Sequence, residues 1–323
     1  MVKRLACLLL ALCLVLPCAL AEDGLQDYSD DELLDMMAEM PQDGEEDNSA
    51  FMVLPEDIPM PKDDRYTLLL VGSDAYDGDG RGRSDTTILV QVDGNSKTIR
   101  MASFLRDMYV KIPGKGSNRI NASYIWGGEE LLRKTLETNF GVTADAYVEV
   151  NFERLVQVVD GIGGVEVEVS EKERKQVNSI LKFYNVKIGD AENDQLLEES
   201  GLVNLTGKQA LCYSRIRKID GDFQRTGRQR RVLEAAFRKV TQLNMAEISA
   251  LIMQNISAVR TDLTIFDAID LIPLALRCKN ATFETMTIPT TGTYKSTTID
   301  GMAVLRPDLK KNQEALKEFF DLE

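Results

Sequence analysis

The 323-residue chain is expected to form a layered α/β domain of the α+β type, with a mixed central β-sheet covered by helices on both faces. Three observations predict this. Short apolar runs of strand length alternate with helical periodicities throughout residues 65–323. That span, about 260 residues, suffices for one substantial core. It also shows no internal repeat and no second domain boundary.

In chain order, Tyr66 to Gly72 (YTLLLVG) and Thr86 to Val92 (TTILVQV) read as buried strands. Ile99 to Phe104 follows as a third, after the Asp93-Gly94 turn. Glu129 to Asn139 is helical, Tyr147 to Val150 a strand, and Phe152 to Asp160 a helix ended by Gly161. Gly164 to Val169 alternates as a strand, whereas residues 171–204 read as an irregular polar lid or insertion. QALCYSRIR reads as a strand, and Arg225 to Leu243 as a helix with Val232, Leu233, Ala236, Phe237 and Val240 as its apolar stripe. Helices around Met245 to Ser257 and Ile265 to Leu276, a strand from Phe283 to Ile288 and a helix from Asp308 to Phe320 complete the domain.

Two segments precede this domain. Lys3 and Arg4, an apolar run from Leu5 to Leu20 and Ala19-Leu20-Ala21 before Glu22 predict a secretory signal over residues 1–21, or a short membrane anchor. Either places the rest outside the cytoplasm. Residues 22–64 carry 16 acidic side chains and one basic one, with four prolines, the composition of a disordered acidic spacer. This spacer accounts for the net charge of −14, leaving residues 65–323 near neutral. The domain contains Cys212 and Cys278, expected to be two buried thiols. The chain has no histidine, which excludes Ser-His-Asp catalysis, His-ligated zinc and histidine bases.

Against that near-neutral background, Leu211 to Arg231 (LCYSRIRKIDGDFQRTGRQRR) sets seven basic side chains beside two acidic ones. On the strand reading, Leu211, Tyr213, Arg215 and Arg217 share a face, so two arginines project side by side. On the helix that follows, Arg225, Arg228 and Gln229 fall over the apolar stripe. A helix start favours an anion, so inward arginines there are costly without one. A phosphate between strand and helix resolves the conflict, because guanidinium forks bind it bidentately. Pairing with carboxylates elsewhere in the fold explains one such arginine more readily than four.

Three successive strands end in acidic or basic residues: GSD at Asp74, RGRSDTT around Asp85, and FLRD at Arg106 and Asp107. Ligands of open α/β sheets gather at such ends. Asp74 and Asp85 are expected to meet as two hard oxygen ligands, the number Mg²⁺ commonly takes when phosphates supply the rest.

Four ordered blocks, LLLVGSDAYDGDGRGRSDTTILVQVD, FLRDMYVKIPGKGSNRINASYIWGG, YVEVNFERLVQVVDGIGGVEVEV and LTGKQALCYSRIRKIDGDFQRTGRQRRVL, resemble the LytR-CpsA-Psr (LCP) family of bacterial cell-envelope proteins. The resemblance runs from about Tyr66 to about Val240, and the GMAVLRPD tail is similar too. It implies a phosphotransferase outside the cytoplasmic membrane, at the membrane surface. Such an enzyme moves a glycopolymer, wall teichoic acid or capsule, from a polyprenyl pyrophosphate carrier to peptidoglycan. Asp74 and Asp85 match the acidic pair associated with Mg²⁺. Arg83, Arg106, Arg215, Arg217, Arg225, Arg228 and Gln229 match positions lining the pyrophosphate and head group. Asp74 and Asp107 are the two candidates for a general base. Leu105 stands where the family usually has proline, Cys212 where alanine is usual, and a cleavable signal replaces the usual transmembrane anchor. The polyprenyl tail requires an apolar tunnel along Phe152 to Val159 and Val232 to Val240, residues that read equally well as ordinary core.

Two rival functions share these residues: hydrolysis of polyprenyl pyrophosphate, and non-catalytic binding of a lipid-linked polymer. Nucleic-acid binding is contradicted by the secretion signal, the near-neutral domain and the inward arginines.

Overall fold

Alternating apolar residues build the centre of the molecule. The computed structural model describes residues 65–73, 84–240, 260–263, 274 and 277–322. The expected signal, the acidic spacer and the helices expected around Met245 to Ser257 and Ile265 to Leu276 lie outside these residues, or almost wholly so. Strands β1 (Arg65–Ser73), β2 (Ser84–Asp93) and β3 (Thr98–Phe104) pair antiparallel in sequence order. Parallel partners flank them, β6 (Ala146–Asn151) on β1 and β10 (Thr282–Ile288) on β3, and β9 (Arg260–Thr261) adds to β6. The mixed sheet therefore runs β10-β3-β2-β1-β6-β9, as the sequence predicts in kind.

Period-two alternation divides its side chains between two layers. Leu69, Val71, Leu89 and Ala102 pack with residues of helices α1 (Asn121–Phe140) and α6 (Leu309–Phe320). Leu68, Ile88, Val90, Ile99 and Met101 face the other way, toward Phe237 of helix α5 (Asp222–Val240). A third apolar cluster joins helices α2 (Phe152–Gly161), α3 (Glu171–Ile188) and α4 (Gly207–Ser214) to α5 and to a hairpin of β7 (Val165–Val169) and β8 (Gly201–Leu205). Full burial of a side chain such as Leu69 or Ile88, both 0% exposed, contributes about 1.5–3 kcal/mol. Two hairpins not foreseen from sequence, β4 (Tyr109–Ile112) with β5 (Gly116–Arg119) and β11 (Tyr294–Ile299) with β12 (Met302–Pro307), lie outside the central sheet.

Two expectations fail here. QALCYSRIR is not a strand: Gly207 to Ser214 is helix α4, opened by a capping box of Thr206 and Gln209. Leu211, Cys212, Tyr213 and Ser214 are all buried, so no two-sided pattern distinguished helix from strand. Residues 171–204 are not irregular throughout, because α3 and β8 occupy most of them. A Ser170–Glu173 capping box starts α3, and Gly189, at φ +87°, ends it. The helix expected from Glu129 begins at Asn121, its first part set off by non-helical Gly127 and Gly128. Among the described residues no helix is long and apolar enough to cross a membrane.

Candidate functional site

The arginine segment is presented by a helix end, a turn and a helix start. Helix α4 is held against α2 at Gly207, where a Cβ would come within 2.2 Å of the Val156 carbonyl oxygen. Only a glycine permits that approach, which anchors the start of α4. The helix ends with Arg215 at its C-cap, Ile216 is fully buried, and the turn reaches Arg217 before α5 begins at Asp222. The expected side-by-side projection from a strand face is thus replaced by projection from a helix terminus and turn. The outcome for Arg215 and Arg217 is similar, since both line the same cavity.

That cavity, about 400 Å³, lies between the sheet and helices α2 and α5. Its walls are apolar: Leu68, Ile88 and Val148 from the sheet, Leu155 and Val158 from α2, and Leu233 and Phe237 from α5. The segments that read equally well as tunnel or core therefore line an open volume, although Val159, Val232 and Val240 also belong to packed clusters. Asp85, Arg215, Arg217, Arg225 and Gln229 contribute the polar part of the lining. Apolar walls with a few convergent polar groups are the usual form of a small-molecule site.

Around those polar groups the charges interlock. Arg106 donates to Asp85 and lies 3.8 Å from Asp107. Arg225 is 4% exposed and donates to the Asp85 carbonyl at 3.2 Å. Asp222, a residue the sequence reading passed over, lies 3.2 Å from Arg217 Nε, 3.4 Å from Arg225 Nε and 4.0 Å from Arg106 Nε. Its signal was present: an acidic residue in the first turn of a helix, seven positions after Arg215. Arg119, also unforeseen, reaches Asp107 at 3.5 Å.

This network has positive charge and donors to spare. Burial, then the neighbouring Arg106, push the Arg217 guanidinium below its ordinary pKa. Burial pushes the Asp222 carboxyl up, against the pull of Arg217 and Arg106. The Nε groups of Arg106 and Arg225 are buried without a hydrogen-bond partner among the described residues. A buried unsatisfied donor costs about 1–3 kcal/mol, and more when charged. An oxyanion entering between Arg106, Arg217 and Arg225 would relieve both deficits.

Two expected site residues, Asp74 and Arg83, lie outside the described residues. Asp85, Arg106, Asp107, Arg215, Arg217, Arg225 and Gln229 are brought to one region. Arg228 is placed apart from them. It is 2% exposed and points inward as expected, yet its guanidinium donates to Glu173 at 2.8 Å, to Asp220 and to the Ile216 carbonyl. It ties α5 to α3 and to the turn after α4, and it does not line the cavity. Sequence alone did not reveal this partner, because Glu173 belongs to a stretch read as irregular.

Among the described residues no group of three or more Cys, Asp or Glu side chains is placed to hold an ion. Asp85 supplies one hard carboxylate at the rim, partly engaged by Arg106. Such a donor suits Mg²⁺, which takes one or two carboxylates and fills its shell with phosphate oxygens and water.

The protein MsrR of Staphylococcus aureus (strain COL), named a regulatory protein, is 29% identical over 272 residues, covering 81% of this chain and 76% of that one. The polyisoprenyl-teichoic acid–peptidoglycan teichoic acid transferase TagU of Bacillus subtilis (strain 168) is 37% identical over 187 residues, covering 57% of this chain and 55% of that one. The solved LytR-CPS2A-psr family protein YwtF (TagT) with bound octaprenyl pyrophosphate lipid superposes with a TM-score of 0.61 at 27% identity, covering 80% of this chain and 91% of that one. The LytR_cpsA_psr family model matches residues 35–318, and with that span matched the chain belongs to the LytR-CpsA-Psr family.

Proposed function

We propose that this protein transfers a glycopolymer from a polyprenyl pyrophosphate carrier to peptidoglycan at the bacterial cell envelope, outside the cytoplasmic membrane. One observation carries the reading: an apolar cavity of about 400 Å³ whose polar lining is formed by Arg215, Arg217, Arg225, Gln229 and Asp85. The isoprenoid chain occupies the apolar part, and the diphosphate lies against the guanidiniums. The relatives support this, since TagU is named for the same transfer and TagT holds a polyprenyl pyrophosphate in a similar fold.

In the reaction, a hydroxyl oxygen of the acceptor attacks the phosphorus that carries the glycopolymer. The bond from that phosphorus to the bridging oxygen breaks, a phosphodiester forms, and polyprenyl phosphate leaves. Arg106, Arg217 and Arg225 offset the charge on the transferring and leaving phosphates, which is the main demand of a loose phosphoryl-transfer transition state. Asp222 keeps these cations oriented before substrate arrives. The acceptor proton passes to Asp107 or Asp74. Asp85 and Asp74 would hold Mg²⁺, which offsets diphosphate charge when bound.

The test uses purified full-length protein, a polyprenyl-pyrophosphate-linked saccharide and peptidoglycan fragments. Phosphodiester-linked product is expected from the native chain and its loss by about 10²-fold or more from Arg217→Ala or Arg225→Ala. Rapid release of phosphate without acceptor would instead establish a hydrolase. Undiminished transfer by both variants would overturn the site.

A further inference from the structure

We propose that Arg230, with Ser103 and Thr287, forms a second oxyanion subsite, which takes a phosphate of the donor's glycopolymer beyond its diphosphate. The inference rests on the function proposed above.

Arg230 differs from the neighbouring arginines in lacking a counter-ion among the described residues. Arg106, Arg217, Arg225 and Arg228 each lie beside a carboxylate. Arg230 instead uses a single nitrogen, Nη1, on three neutral acceptors: Ser103 Oγ at 2.6 Å, Thr287 Oγ1 at 3.1 Å and the Met286 carbonyl at 3.2 Å. Neither Nε nor Nη2 has a hydrogen-bond partner among the described residues, and neither is among the buried atoms that lack one. That edge of the guanidinium therefore still reaches solvent-accessible space. The Nε–Nη2 edge is one that binds a phosphate through two parallel hydrogen bonds. Burial and the nearby Arg231 push the guanidinium down to about 10, so it remains charged at neutral pH. A half-buried cation held only by neutral groups is electrostatically incomplete.

Its position gives the class of ligand. Ser103 and Thr287 are paired neighbours on the parallel strands β3 and β10, one residue before each strand ends. Arg106 follows Ser103 by three residues, which puts at most about 10 Å between their backbones. Arg230 therefore stands at the carboxyl end of the outer strand pair, near the diphosphate site yet outside the apolar cavity. A saccharide leaving the diphosphate toward β10 would bring its next phosphate to the open edge. Ser103 and Thr287 can each turn a hydroxyl hydrogen toward it. Tethering α5 to the sheet needs no charge, so a purely structural role leaves the choice of an arginine unexplained.

The experiment measures dissociation constants of the full-length protein for three probes: a short-chain isoprenyl diphosphate, the same lipid carrying a disaccharide, and that disaccharide extended by one glycerol phosphate. Arg230→Gln should weaken the third by roughly tenfold and leave the first two within about twofold, with Arg230→Lys intermediate. Thr287→Val, which keeps the arginine, should show the same selectivity at about threefold and covers the case in which Arg230→Gln does not fold. Equal weakening of all three probes, or of none, would overturn the subsite while leaving the diphosphate site standing. Failure of the native protein to bind even the first probe would overturn the proposed function and the subsite with it. A fourth titration, with a muramyl peptide, identifies the source of the anion, and a loss confined to that arm would overturn assignment to the donor.

Discussion

Replacing Arg228 with alanine tests whether this arginine serves the fold or the substrate. The side chain is 2% exposed and its partner Glu173 9%, while Asp220 at 28% has partial access to water. Removing one member of a buried ion pair costs about 3–5 kcal/mol, because the remaining charge is left without compensation. Asp220 can turn toward solvent and Glu173 keeps its bonds to the Ser170 amide and hydroxyl, so the lower end applies, about 3 kcal/mol. For a domain of this size each kcal/mol corresponds to about 2–4 °C, which gives a fall in Tm of roughly 6–12 °C. Thermal melts followed by far-UV circular dichroism read this directly. Transfer by the surviving folded fraction, assayed well below its Tm, should fall by no more than about tenfold, the cost of holding Arg225 less firmly. Combining Arg228→Ala with Glu173→Gln should restore part of the lost stability, because the uncompensated carboxylate disappears. A Tm within about 2 °C of native, together with a hundredfold loss of transfer, would show that Arg228 contacts substrate and that the assignment is wrong.

Three further outcomes are expected. Burial pushes the Glu173 carboxyl up, but the Ser170 amide, the Arg228 guanidinium and the Ser170 hydroxyl together hold it below its ordinary value of 4.5. Its contribution to stability is thus present above pH 4.5 and lost as pH falls through the lower folded value, so Glu173→Gln should cost stability at pH 7 and progressively less below about pH 4 in urea titrations. Gly207→Ala should destabilise by about 1–3 kcal/mol, because its methyl group meets the backbone of Val156, which cannot give way cheaply; an unchanged Tm would mean α4 is free to shift. Burial pushes the Cys212 thiol up to about 12 and the Cys278 thiol up to about 11. Mass mapping after alkylation at pH 8 should find both unmodified in native protein and both modified in denaturant.

The centre of the sheet was legible because β1, β2, β3 and β6 have no exposed residue on either face, so apolar runs and alternation mark them. Leu68 and Leu69 divide between two layers as period two requires. Helix α4 was not legible from periodicity, since a short helix buried on every side carries no stripe. Its Thr206–Gln209 capping box was the available signal, as the Ser170–Glu173 box was for α3. Both are local hydrogen-bonding patterns, and they specify a start even where hydrophobicity is silent. The inward direction of Arg225 and Arg228 followed correctly from the wheel, because angular position on a helix depends on spacing alone. What each meets there depends on tertiary partners. Arg225 finds a backbone carbonyl and a shared aspartate at a cavity wall, whereas Arg228 finds two carboxylates, one of them also reached by Arg231.

That contrast explains how one segment serves two ends. Along α5, residues 225, 229, 232, 233 and 236 face the cavity, so the helix that supplies the apolar wall also carries cations at its first turn. A cation cluster there opposes the positive end of the helix dipole, and Asp222 in the same turn offsets part of that repulsion. Arg228, bound to Glu173 on α3 and Asp220 in the preceding turn, fixes the helix start against its neighbours, so that Arg225 is held in place rather than free to turn away. The rigid pair positions the incompletely satisfied one. An arginine whose needs were met internally could not recognise a diphosphate, and one with no anchored helix beneath it would lose binding energy to reorganisation. Placing the two three residues apart on one helix, just under a turn, gives the site an anchored and an open guanidinium from the same short stretch of sequence.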